Sequence, residues 1–264
     1  AWRLLLPRSA RAARAGDVAG RQAGASVELH DFREYQPGDD PRHVDWNAVA
    51  RTGRLVLRLR REEVSPRVEL LLDCSKSMAL SPAKRARVRE LAALVQRLCR
   101  AQGLTLASWA LGAEVRRLAA GELPEAFDGA APLPELVRRT KLLPAGLRIL
   151  VSDLLTEEPV PAIRRLSTDC ALPALVQVLD AEDESPSPGP ARPVDAESGE
   201  ALDRVVEGGV LARYHQRLRA HLALLDEEAR RHRAALCSAP ARLPLEAALR
   251  HGLQGRLLAP RSAR

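Results

Sequence analysis

Strand-like and helix-like segments alternate along most of the 264 residues, which predicts an α/β protein on a doubly wound, mostly parallel sheet of Rossmann type, with an N-terminal extension. Three observations carry this. The runs "VELLLD" and "LRILVSD" are apolar without alternation, as strands buried on both faces are. Each ends abruptly in a carboxylate, Asp73 and Asp153. Segments of helical period, punctuated by Gly and Pro, lie between such runs.

The elements follow in order. Residues 1–26 are basic, small and Gly/Ala-rich, and read as a flexible arm; the apolar stretch in "AWRLLLPRSARAARAG" is too short for a secretory signal. Residues 27–65 form a second block. In it "QPGDD" marks a turn, Asp40 reads as an N-cap with Pro41 at the first helical position, and Gly53 is the stop. "RLVLRLRREEV" then alternates like a strand with one wet face.

Residues 66–260 form the main domain. Ser81-Pro82 opens a helix to about Arg100, with Val88, Leu91, Ala92, Val95 and Leu98 as its buried stripe and Gly103 as its end. On the same helix Arg85, Arg87 and Arg89 are expected to be wet. "LTLASWA" and "AEVRRLA" read as strands joined at Gly112, "LPELVRRT" and "PVPAIRRLS" as short helices, and "LPALVQVLD" as a strand. Residues 181–193, "AEDESPSPGPARP", are read as an exposed Pro-rich loop. A long helix over "GVLARYHQRLRAHLALLDEEARRHR", a strand "AALCSAP" and a helix "PLEAALRHG" complete the chain.

Bulk composition narrows the function classes. The net charge is +7, mostly from Arg, yet aromatics are only 3%, so no stacking side chains interleave the basic runs as a nucleic-acid binder would want. The four cysteines are scattered with no C-x-x-C pair, which argues against a disulfide framework or structural zinc and fits a reducing cytoplasm. No run approaches the roughly 18 apolar residues of a membrane span.

Chemistry concentrates at "DCSKSM". Asp73, Ser75 and Ser77 offer one carboxylate and two hydroxyls from a single tight loop, all hard oxygen donors suited to Mg²⁺. In an open parallel sheet ligands sit beyond the carboxyl ends of the strands, so neighbouring strands would turn Asp73 and Asp153 into one crevice. A cysteine phosphatase loop starting at Cys74 would need Arg where Leu80 stands, and an aspartyl-phosphate enzyme would need Asp where Ser75 stands. A metal-dependent hydrolase using Asp73 and Asp153, a basic nucleic-acid-binding protein using the Arg excess, and a helix cap with no further role remain open alternatives.

"DCSKSM" after an apolar strand resembles the D-x-S-x-S signature of von Willebrand factor A domains, which forms their metal-ion-dependent adhesion site. With "FREYQPGDDPRHVDWNAVAR" upstream, the chain resembles the bacterial family called domain of unknown function 58. That resemblance implies a von Willebrand A-like fold over 66–260, with Asp73, Ser75, Ser77 and Asp153 as metal ligands. It also implies a non-enzymatic role in protein–protein recognition, as an adaptor of a MoxR-type AAA+ ATPase. The family pattern places a Thr after a Gly in a further loop; here that place reads "DGAAPLPEL", with Ala130 and Ala131 where the hydroxyl is expected.

Overall fold

The computed structural model describes residues 2–6, 32–34, 44, 46–58, 67–187, 195, 199 and 208–260. The chain divides into two compact units, one of residues 1–13 with 65–264 and one of residues 14–64.

The larger unit begins with β1 (Trp2–Leu4). The flexible arm expected over residues 1–26 is thus wrong at its start. Leu4 is buried in the core with Trp2 packed against it, and these two apolar side chains gain from burial what a basic arm could not, while Arg3 between them stays exposed.

In the smaller unit, β2 (Phe32–Glu34) and β3 (Val56–Arg58) pair antiparallel, with Arg33 opposite Leu57. Between them lies α1 (Trp46–Thr52). It ends where expected, at Gly53, whose φ of 69° is the left-handed conformation that glycine adopts without cost. Its start differs, because the helix opens at Trp46. The expected cap Asp40 and Pro41 lie outside the described residues.

The main sheet comprises β4 (Arg67–Asp73), β5 (Thr105–Leu111), β6 (Val115–Leu118), β7 (Ala145–Ser152), β8 (Cys170–Gln177) and β9 (Ala235–Ser238). Their spatial order is β6-β5-β4-β7-β8-β9, parallel throughout except for the edge hairpin of β5 and β6. Chain order therefore reverses at β4, with β5 on one side of it and β7 on the other. The doubly wound prediction is correct.

Side-chain alternation along the strands divides the core into two layers. Val68, Leu70 and Leu72 of β4 and Leu147, Ile149 and Val151 of β7 face one layer, which α3 (Pro82–Ala101) covers with Val88, Leu91, Ala92, Val95 and Leu98. Leu71 and Leu150 face the other, covered by α4 (Leu133–Arg139), α5 (Pro159–Ser167) and, after a short α6 (Ala181–Glu184), by α7 (Gly208–Arg231). A four-residue α2 (Lys76–Ala79) precedes α3. After β9 come α8 (Leu245–Ala248), a π-helical turn over Leu249–Leu253, and β10 (Leu258–Pro260), which pairs antiparallel with β1.

Two expectations need correction. Arg87 is not on a wet face: it is buried, and its guanidinium donates to the carbonyls of Ala241 and Leu243. The start of the supposed loop 181–193 is helical, because Asp180 and Asp183 form a reciprocal capping box around α6.

Candidate functional site

The site grows from the end of β4. Its apolar residues fix the strand between β5 and β7, and the apolar run stops at Asp73, which is 3% exposed. The next residues turn back on that carboxylate. Ser75 N donates to Asp73 Oδ1 at 2.9 Å, and the hydroxyls of Ser75 and Ser77 lie 2.9 Å apart. Ser81 Oγ then caps α3 by accepting from the backbone N–H groups of Ala83 and Lys84.

The neighbouring strand supplies the rest. Ser152 Oγ donates to Asp73 Oδ2 at 2.5 Å, and accepts from Leu154 N at 3.0 Å. Asp153 follows, 4% exposed, with Leu155 N donating to its Oδ1 at 3.1 Å and Gln177 Nε2 donating to its carbonyl at 3.0 Å. Leu154 sits at φ 58°, in the left-handed region, and its carbonyl is 2.7 Å from His221 Nε2 of α7. Such strain in a branched residue is held only where the surroundings fix it. The two predicted acids therefore do meet at the carboxyl ends of adjacent strands.

Their proximity has an electrostatic consequence. Burial, and next the charge of Asp153, push the Asp73 carboxyl up to about 6, against the opposing hydrogen bonds from Ser152 and Ser75. Cys74, between Asp73 and Ser75, is fully buried. Burial and then the Asp73 charge push its thiol up to about 12, so it is no thiolate nucleophile.

The loop predicted to be the further ligand segment is indeed beside the motif. Gly129 forms a parallel bridge with Ser75, accepting from Lys76 N at 2.8 Å and donating to Cys74 O at 3.0 Å. A Cβ on Gly129 would stand 3.1 Å from the Gly112 carbonyl carbon, so glycine permits this approach. Ala130, exposed, and Ala131, half-buried, follow it without a hydroxyl.

Sequence reasoning missed Lys84. Its Nζ lies 2.8 Å from Asp153 Oδ2 and 3.0 Å from Asp183 Oδ2, with the side chain 3% exposed. Burial pulls the ammonium pKa down most strongly, yet the charges and hydrogen bonds of Asp153 and Asp183 more than offset it. The signal was available: Lys84 stands four residues before Val88 and seven before Leu91, on the buried stripe itself. Among the described residues no three His, Cys, Asp or Glu side chains cluster to hold a metal ion, so any ion here would lean on hydroxyls and water.

The model of the family described as "Protein of unknown function DUF58" matches residues 31–224. The chain belongs to the DUF58 family. No curated protein matches this DUF58 chain. Among solved structures it is similar to an aerotolerance-related membrane protein from Bacteroides fragilis NCTC 9343, with multiple mutations to serines, at 10% identity. That match covers 63% of this chain and 100% of the other, with a TM-score of 0.28. Among the described residues no helix of this DUF58 protein is long and apolar enough to cross a membrane.

Proposed function

We propose that this DUF58 protein is a non-enzymatic protein-interaction module whose strand-end site takes a divalent cation, Mg²⁺ by preference, in a MIDAS-like arrangement. The observation that carries the reading is the pair of Ser75 and Ser77 hydroxyls, 2.9 Å apart, in the turn that folds back on Asp73 where the strand order reverses. Asp73, Ser75 and Ser77 would hold the ion, with Asp153 reaching it directly or through water. The donor set is entirely hard oxygen, which fits Mg²⁺. The charge of Asp153 also raises the cost of ionising Asp73, and a cation relieves that.

When bound, the ion would supply an under-neutralised positive centre that accepts an acidic side chain from a partner. The chain's own residues frame that contact. Leu80, 72% exposed, follows the hydroxyl pair, and Leu155, 38% exposed, follows Asp153, so each limb of the site leads into an apolar residue at the surface. The partner we favour is a MoxR-type AAA+ ATPase, on the resemblance of "FREYQPGDDPRHVDWNAVAR" with D-x-S-x-S to DUF58 proteins of that association.

A hydrolase reading has one observation in its favour, the elevated pKa of Asp73. Each Asp73 oxygen already accepts one hydrogen bond, from Ser75 N and from Ser152 Oγ, and keeps a second lone pair for which a cation and a substrate proton would compete. Isothermal titration with MgCl₂, followed by capture of the purified ATPase with and without chelator, tests the proposal. Binding of both that is lost in Asp73→Ala supports it. No heat at millimolar ion, with partner capture unchanged in Asp73→Ala, sinks it. Turnover of a generic phosphoester that vanishes in Asp73→Asn would favour the hydrolase.

A further inference from the structure

Lysine is rarely buried unless paired, and Lys84 is paired twice. Its two carboxylates come from different places, Asp153 at the end of β7 and Asp183 in α6. Each is independently fixed. Asp153 Oδ1 accepts from Leu155 N, and Asp183 Oδ2 accepts from Asp180 N within the capping box. Asp180 in turn accepts from Ser81 Oγ, the side chain that caps α3 just before Lys84. The ammonium is thus clamped from both sides by rigid elements, unlike an exposed pair that solvent screens and rotamer freedom loosens.

The charges around it do not cancel. Asp153 and Asp183 contact the ammonium and Asp180 lies close enough to feel its charge, so three carboxylates stand against one ammonium. We propose that Lys84 is the resident cation of the strand-end site: at Asp153 it supplies the positive charge that a divalent ion would otherwise bring, and so keeps the site's affinity for such ions low. The inference rests on the reading of Asp73, Ser75, Ser77 and Asp153 as ion ligands. Its physical basis is simple. Two cations on one carboxylate repel, so an arriving ion must share Asp153 with the ammonium or displace it wholly onto Asp183.

The test is titration of Mg²⁺ by calorimetry, and of Mn²⁺ by its free-ion paramagnetic resonance signal, into wild type, Lys84→Met and Lys84→Met/Asp183→Asn. The double variant removes one positive and one negative charge, so its net charge equals that of wild type and it leaves one fewer acid unpaired. Removing a unit charge within the same cluster tightens ion binding by roughly tenfold or more in Lys84→Met. The double variant still binds more tightly than wild type, because Asp153 is freed, and Asp73→Ala in either background removes the gain. If wild type binds no ion but the Lys84 variants do, the inference stands and the native chain is not a metal module. If wild type binds and both variants bind equally or more weakly, the inference falls and the metal reading survives. Absence of ion binding in all three overturns both.

Discussion

Ser152 Oγ donates a 2.5 Å hydrogen bond to Asp73 Oδ2, joining the ends of the two strands on which the candidate site stands. That contact stabilises the charged carboxylate, yet burial and Asp153 outweigh it, and the folded-state pKa of Asp73 is about 6 against an ordinary 3.8. The folded chain therefore holds this proton more tightly than the unfolded one. Stability from this group is full below about pH 4 and is lost as pH rises through about 6. Between pH 4 and pH 7, without divalent ions, wild type should lose on the order of 2–3 kcal/mol relative to Asp73→Asn. Urea unfolding of both proteins across that range checks this; parallel pH profiles would refute it.

How much of this was legible in the sequence depends on how local each signal is. The strands of β4 and β7, the Ser81 cap and the α3 stripe were readable, because an unbroken apolar run and a 3.6-residue period are properties of one segment. The meeting of Asp73 with Asp153 followed from them through the topology. Lys84 was passed over and Arg87 read as wet although Lys84 lies on the stripe, because the groups that make burial of either charge tolerable stand 69 or more positions away. Asp180 and Asp183 did carry a local signal, a D-x-x-D cap, obscured by the prolines that follow.

The bridge between Gly129 and Ser75 brings the loop that carries Ala130 next to the turn that carries the hydroxyl pair, and Ala130 is exposed. Ala130→Thr should therefore add an oxygen donor to the site. Mg²⁺ affinity should rise by roughly three- to tenfold, the gain of one neutral oxygen in place of water. Calorimetric titration reads the change. Unaltered or weaker affinity would show that this loop does not face the ion.

Arg148 and Glu69 illustrate a charge pair with a purely structural task. Arg148 Nε lies 2.8 Å from Glu69 Oε2, both side chains 1% exposed, on adjacent strands β7 and β4. Its remaining N–H groups donate to the carbonyls of Leu143, Leu166 and Thr168, while Glu69 Oε1 accepts from Leu143 N. Arg148→Met strands a buried carboxylate and should cost about 3–5 kcal/mol. Glu69→Leu in addition should restore at least about 1–2 kcal/mol, since it removes the unpaired charge. Chemical denaturation of the three variants measures the coupling, and simple additivity would mean the pair is solvated in solution.

Gly252 presents a different constraint, one of space rather than charge. It lies in the π-helical turn after α8, and a Cβ built on it would stand 1.6 Å from the Ser238 carbonyl oxygen of β9. That oxygen is backbone in a paired strand, so it cannot swing aside as a flexible side chain would. Gly252→Ala must push the turn off the sheet and draw Leu249 and Leu253 out of the core, at a cost of at least about 3 kcal/mol. Gly255, three residues on, is the control: its φ is 80° but nothing lies within 4 Å of an added Cβ. Gly255→Ala meets only backbone strain and should cost about 1 kcal/mol. Thermal melts of the two variants separate the effects, and equal losses would contradict the close approach of the turn to β9.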